Sequence, residues 1–359
     1  MTRPLRVAVI GTGRMGRHHA RIYAQLPQTE LVALVDQDIE RAAAVAKEFG
    51  GRPLRDVTPV LGELDAVTIA VPTVRHLDAA RPLIERRIPA LIEKPLAPSV
   101  EQANELLALA RQYDTLVAVG HVERFNPVVR AMDRLRVLPK FVETHRISPF
   151  TFRSADVGVT LDMMIHDIDV VLHLVRDVPV RVDAVGINVL GPNEDIANAR
   201  VVFSRGCVAN MTASRLALKT ERKIRVFSEE AYLSLDYQKR TGIAIRKNKN
   251  LDLLKMAREM NAEDLSQMQG VDFGSLVKVE PLAVDSADPL QSQIESFLRW
   301  VQTGSPQDGT SEGRVASAEE GLAAVRLATD IVTSLRQHEW DGSAAGRIGL
   351  SDTMIRATD

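Results

Sequence analysis

Val7-Ala8-Val9-Ile10-Gly11-Thr12-Gly13-Arg14-Met15-Gly16 is the stretch on which the fold turns. Four apolar residues read as a buried strand. The six that follow match G-x-G-x-x-G, and residues 17–26 continue with helical spacing. A glycine-rich turn alone serves many purposes, but between a strand and a helix it has a specific physical use. Gly11 permits the tight turn, Gly13 lets backbone approach a pyrophosphate, and Gly16 lets the helix pack on the strand. The helix N-terminus presents free N–H groups and partial positive charge to phosphate, with Thr12, Arg14 and Met15 completing the loop. The next apolar run, 31–35, ends in Asp36, twenty residues after Gly16. An acid there accepts hydrogen bonds from the adenosine ribose hydroxyls and repels a 2′-phosphate, as does nearby Asp38, so NAD is favoured over NADP. The alternative is a glycine turn and a strand-end acid that bind nothing.

Outward from this unit, apolar runs at 6–10, 31–35, 66–71, 90–93 and 115–119 alternate with helical patterns such as 39–49 and 99–113. Strand and helix in turn predict a parallel sheet of βαβ units. After about residue 120 the pattern changes. A helical stretch at 159–175 precedes alternating runs at 182–189, 199–203, 208–214, 223–227 and 232–235, which read as antiparallel strands. Residues 250–268, 291–301 and 316–335 return to helical spacing. We therefore expect an α/β chain: a Rossmann domain over 1–121, an α+β domain with a mainly antiparallel sheet over 122–345, and a loosely docked tail over 346–359.

The chain has 359 residues, long enough for more than one core. Its 45 basic and 47 acidic residues nearly cancel, so no general field attracts nucleic acid or an anionic membrane. A local basic pocket for a phosphorylated ligand is compatible with that balance. The single cysteine, Cys207, allows no intrachain disulfide, which fits a reducing compartment. No apolar h-region precedes the first strand and no run is long enough to span a bilayer, so the expectation is a soluble cytoplasmic protein.

Two further segments carry candidate chemistry. In Leu91-Ile92-Glu93-Lys94-Pro95 an apolar strand ends in an ion pair and a proline. Pro95 biases Lys94 towards extended geometry, projecting it at the carboxyl edge of the sheet, where open α/β sheets bind ligands. A solvated strand-end lysine is the bland alternative. In the helical stretch 161–173, Asp162, His166, Asp169 and His173 share one narrow stripe and apolar side chains fill nearly all the rest. Such a stripe must find partners or line a wet cavity. Asp162 and His166 suit proton transfer, a mutually satisfied structural pair, or metal ligation. No third ligand with matching spacing accompanies them, so no metal is expected.

Taken together, the 11–16 turn, Glu93-Lys94-Pro95 and the later Asp162-x-x-x-His166 resemble the glucose–fructose oxidoreductase/inositol dehydrogenase family along nearly the whole chain. The resemblance implies a large open sheet in the second domain, with the Asp–His helix at the cleft between domains. It implies Lys94 and His166 as the proton-handling pair, with Asp162 orienting or tuning His166. Pro72, Thr73, His76 and Glu93 would flank the nicotinamide side of the cofactor, together with Lys94. Within the family, Gly120-His121-Val122-Glu123-Arg124-Phe125-Asn126-Pro127, the end of the run at 145–149 and residues 162–169 are similar to bacterial enzymes that oxidise the 3-hydroxyl of UDP-N-acetylglucosamine. That likeness implies a ketone product for a partner aminotransferase in lipid A assembly, with Arg124, Asn126 and Arg146 as substrate contacts. A homodimer or homotetramer is expected from a broad sheet face. Oxidation of a free sugar, inositol or other polyol is the nearest alternative, and a non-catalytic NAD-binding regulator is the alternative from another class. Free lysine has a pKa of about 10.4 and histidine about 6.5. His166 is therefore the favoured base, with Lys94 stabilising the same oxygen, and the reverse assignment stands beside it.

Overall fold

The computed structural model describes residues 3–151, 157–190, 192–247, 277–305 and 313–338. The first sheet opens with β1 (Leu5–Ile10), α1 (Arg14–Gln25), β2 (Thr29–Val35), α2 (Ile39–Phe49) and β3 (Arg52–Leu54). It continues through β4 (Ala66–Ile69), α3 (His76–Ile84), β5 (Ala90–Glu93), α4 (Val100–Gln112) and β6 (Val117–Gly120). These six strands are parallel, in the spatial order β3-β2-β1-β4-β5-β6. Burial on both faces explains the unbroken apolar runs. In β1, Val7 and Val9 enter a core with Tyr23, while Ala8 and Ile10 enter another with Ile69. Strand order reverses direction between β1 and β4, the crevice where doubly wound sheets hold ligands.

Local chemistry sets the helix ends. The Asp38 side chain accepts the Arg41 N–H at 3.2 Å to start α2, and Gly50, at φ +84°, ends it. Ser99 accepts the Gln102 N–H at 3.3 Å to start α4. After β6 come a 3-10 turn (Val122–Phe125) and α5 (Pro127–Asp133), which lead into the second sheet.

That sheet contains β7 (Phe141–Ile147), β8 (Pro179–Ile187), β9 (Ile196–Phe203), β10 (Val208–Ser214), β11 (Glu221–Phe227), β12 (Ala231–Asp236), β13 (Thr241–Lys247) and β14 (Val277–Pro281). Its order is β14-β13-β12-β11-β7-β10-β9-β8, antiparallel except where β10 runs parallel to β7. Between β7 and β8 the helical stretch expected at 159–175 divides into a π-helical turn, Thr160–Met164, and α6, Ile165–Val175. Glu194 holds its start by accepting the Thr160 N–H at 3.0 Å. Apolar side chains of α6 bury Ile168, Val170 and Val171 against the inner face of this sheet.

The chain then returns to the first sheet. In α7 (Pro289–Thr303), Ile294, Phe297 and Leu298 pack in the core formed by Val7, Val9 and Tyr23. The helical run expected at 316–335 begins instead as a short strand, β15 (Ala316–Ser317), antiparallel to β6. Only then does α8 (Ala318–Gln337) start, at a capping box between Ser317 and Glu320. The stretches read as helical at 250–268 and as a tail at 346–359 lie outside the described residues. No helix among the described residues is long and apolar enough to cross a membrane.

Candidate active site

The glycine turn lies at the β1/β4 crevice. Gly11 has φ +90° and its N–H donates to the Val35 carbonyl at 2.7 Å. A Cβ on Gly11 would fall 2.6 Å from the Ala70 carbonyl oxygen, and one on Gly16 would strike the Gly11 carbonyl. Gly13, by contrast, would meet nothing within 4 Å, so the turn is closed beneath and open above. Gly13 caps α1 by backbone alone, leaving the helix N-terminus with no side-chain partner. This cradle suits the diphosphate of a dinucleotide. Arg14 points to solvent and Met15 is half-buried beside it.

Asp36 follows β2, and its carboxylate accepts the Thr12 N–H and hydroxyl at 2.9 Å each and the Asp38 N–H at 3.0 Å. Arg41 stands 3.6 Å away. Burial raises the Asp36 pKa, but these hydrogen bonds outweigh it, and the group stays below the usual carboxylate range. The acid is thus ionised and fixed at the turn.

At the carboxyl end of β5 two acid–base contacts cross. Glu93 Oε1 lies 2.8 Å from Nε2 of His19, a fully buried residue of α1. Gly120 makes room for it, since a Cβ there would come within 3.1 Å of the Glu93 carboxyl carbon. Lys94 reaches the other way, donating to the Asp162 carbonyl oxygen at 2.7 Å and lying 3.4 Å from Asp162 Oδ1. Burial lowers the Lys94 pKa, with Asp162 and Glu93 pulling in the opposite direction. After β4, Pro72 caps a 3-10 turn (Thr73–Arg75) that opens with Thr73. His76 is buried, with Nε2 3.1 Å from the Val71 carbonyl and Nδ1 3.0 Å from that of Pro95. Burial lowers its pKa, and the neutral ring donates from one nitrogen to one of these carbonyls, so it braces the edge rather than presenting a free side chain.

The polar stripe of the α6 region is resolved by partners from other elements. Asp162 meets Lys94, Asp169 takes a two-pronged contact from Arg124 at 2.6 and 2.7 Å, and His173 Nε2 lies 2.9 Å from Asp133. His166 is the remaining member. Its Nδ1 is buried without a hydrogen-bond partner, and no hydrogen bond joins it to Asp162. The expectation that Asp162 orients His166 therefore gives way to a different pairing: the carboxylate that lies one turn away is engaged by Lys94. Burial, then the positive charges of Lys94 and Arg146, hold the His166 pKa well below its ordinary value.

Arg124, Asn126 and Arg146 are not presented to a ligand. Arg124 is 2% exposed and Arg146 3%. Arg124 spans Asp169 on α6 and Glu320 on α8, the latter at 3.1 Å. Burial pushes Glu320 up, yet Arg124 and Arg314 hold its carboxyl down at about 2. Arg146 donates to Asp167 at 2.8 and 2.9 Å and to Glu123 at 3.0 Å. Asn126 donates to Glu123 at 3.1 Å and caps α5. Buried arginines satisfied by two carboxylates are internal ties between elements, because removing one partner strands an uncompensated charge.

Sequence reasoning missed His19, Glu123, Asp167 and Glu320, whose partners come from distant segments. It also assigned no role to His121, at the end of β6. His121 is buried, both its ring nitrogens lack hydrogen bonds, and Nε2 is 3.8 Å from Asp169. Its place inside the Gly120–Pro127 stretch was the available signal. Among the described residues, no group of three or more His, Cys, Asp or Glu side chains is placed to hold a metal ion.

Comparison with known proteins agrees with this layout. Residues 5–121 match the oxidoreductase family described by its NAD-binding Rossmann fold, and residues 138–234 match the GFO/IDH/MocA C-terminal domain. The chain is 33% identical over 317 residues to the UDP-N-acetylglucosamine 3-dehydrogenase of Acidithiobacillus ferrooxidans, covering 88% of this chain and 95% of that one. A solved structure of the Acidithiobacillus ferrooxidans enzyme superposes with a TM-score of 0.79 at 29% identity, covering 93% of this chain and 98% of the other. An inositol 2-dehydrogenase of Pseudarthrobacter chlorophenolicus is 35% identical over 181 residues, 46% of this chain and 51% of that one. With its glycine turn at the β1/β4 crevice and both halves matched, the chain belongs to the glucose–fructose oxidoreductase/inositol dehydrogenase/MocA family of NAD-dependent oxidoreductases.

Proposed function

We propose that the chain oxidises the 3-hydroxyl of UDP-N-acetylglucosamine to a ketone, with His166 as the base and Lys94 as the group that stabilises the reacting oxygen. One observation carries the assignment of roles: of the four polar residues on the helix stripe, His166 alone lacks a hydrogen-bonded partner. NAD, when bound, supplies the hydride acceptor. His166 accepts the hydroxyl proton, and its depressed pKa keeps the imidazole neutral and ready to do so near pH 7. Lys94 carries three N–H donors. Asp162 takes one through its carbonyl and faces another through its carboxylate, which leaves a donor for the substrate oxygen as negative charge develops there. Asp162 thus positions Lys94. The turn over Gly11, Thr12, Gly13 and Gly16 would hold the cofactor diphosphate and Asp36 its adenosine ribose.

The choice of substrate rests on the likeness to the Acidithiobacillus ferrooxidans enzyme, which extends through both halves of the chain. The inositol 2-dehydrogenase match spans about half of it. The reading includes a cytoplasmic location and a downstream aminotransferase. It also includes a homodimer or homotetramer formed through the second sheet, where Val180, Ile243 and Val279 are exposed. Oxidising an alcohol with NAD is uphill near neutral pH, so the test couples the reaction. The enzyme, NAD and UDP-N-acetylglucosamine are incubated with a 3-keto-sugar aminotransferase and an amino donor, and products are followed by mass spectrometry. The expected product is the 3-amino nucleotide sugar. Absence of both ketone and amine, with robust NADH formation from a free polyol, overturns the substrate in favour of the polyol.

A further inference from the structure

We infer that Arg222 is the residue that receives the diphosphate of the nucleotide sugar, an inference that rests on the nucleotide-sugar reading above. Arg124 and Arg146 are enclosed by carboxylates, so an anionic substrate needs another cation at the cleft. In the antiparallel pairing of β11 with β7, Arg222 stands directly opposite Arg146. Residues directly opposite share a face, so Arg222 lies on the side of the sheet that Arg146 uses to reach Asp167 on α6. Further along β11 on that same face, Ile224 and Val226 are fully buried, whereas Arg222 is exposed. It marks the point on this face where the buried core gives way to exposed surface.

The two facing arginines differ in their neutralisation. Arg146 has Glu123 and Asp167. Among the described residues, Arg222 has no side-chain hydrogen bond or ion pair. Its charge nevertheless reaches the site: burial first, then Lys94, Arg146, His121 and Arg222, lower the basicity of His166. These four come from the end of β5, β7, the end of β6 and β11. By its charge Arg222 also favours the ionised forms of Glu123 and Asp167, without a hydrogen bond or ion pair to either. Covered by a diphosphate, it becomes a two-pronged anchor, and the drag on His166 is relieved only when substrate is in place.

Calorimetric titration of the NAD-loaded enzyme with UDP and with uridine separates the diphosphate from the base and ribose. Arg222→Gln should weaken UDP binding by about ten- to a hundredfold, the range for losing charge-assisted hydrogen bonds, and leave uridine binding unchanged. Arg222→Lys should fall between the two, keeping the charge but losing the fork. Arg225→Gln is the control, because Arg225 lies on the opposite face and pairs with Glu143 at 3.4 Å. It should bind UDP as the wild type does. With Arg222→Gln the acidic limb of kcat/KM should also move to higher pH, since a positive charge near His166 is gone. Wild-type UDP affinity in Arg222→Gln, or equal losses for UDP and uridine, overturns the assignment. A wild-type enzyme that oxidises only free polyols and binds no UDP instead removes the nucleotide-sugar reading, and this inference with it.

Discussion

The glycine turn and the α6 helix each set polar groups in apolar surroundings, but they reach their geometry by different routes. At the turn, the contacts come from the strands beside it: Thr12 meets Asp36 across 24 residues, and Gly11 bonds the end of β2. The motif dictates its own backbone, because only glycine tolerates φ +90° against the Ala70 carbonyl. On the helix stripe, three of the four polar residues are completed from elsewhere: Asp162 by Lys94 across 68 residues, Asp169 by Arg124 across 45, His173 by Asp133 across 40. Helical spacing prescribes which side chains share a stripe and says nothing about what each will meet. The member left over, His166, is the one whose buried ring nitrogen meets no hydrogen-bond partner.

That contrast can be broken most forcefully at the buried arginines. Arg146→Met leaves Glu123 and Asp167 without their shared cation and should destabilise the fold by about 3–5 kcal/mol, read from urea unfolding. A loss below about 0.5 kcal/mol would return Arg146 to the list of substrate contacts. At the cleft, Lys94→Met and His166→Asn should each lower turnover by about a hundredfold or more while NAD affinity and the thermal midpoint stay near wild type. The acidic limb of the wild-type kcat/KM profile should lie below the ordinary histidine value of about 6.5, because burial and neighbouring cations disfavour the imidazolium. A variant that keeps its turnover removes that residue from the chemistry, and a limb above 6.5 removes His166 as the base.

The smallest effect belongs to the turn. Asp36→Ser should shift preference from NAD towards NADP by about tenfold, since an ionised acceptor is lost and Arg41, 3.6 Å away, becomes available to a 2′-phosphate. Calorimetric titration of each cofactor checks it, and unchanged affinities would separate Asp36 from cofactor choice.

Residue order alone determined the alternation of strand and helix in the first sheet, the glycine turn, and several elements to the residue. Helix Ile39–Phe49 and strand Val208–Ser214 have the expected bounds. Caps and turns made by neighbours in sequence, such as Asp38 and Gly50, carry that information. Tertiary structure decided the rest. Residues 316–317 look helical in spacing, yet they pair with β6, because an open sheet edge offers backbone partners that no periodicity records. Arg124 and Arg146 look like ligand contacts in a linear motif, yet carboxylates on α6, on α8 and in the turn at Glu123 enclose them. Asp162 lies one helical turn from His166, yet Lys94 claims it from the other sheet. Local propensity and periodicity establish which face of an element is buried. The identity of the group across the interface depends on how two sheets and the returning C-terminal helices are brought together, and that is settled only when the whole chain has packed.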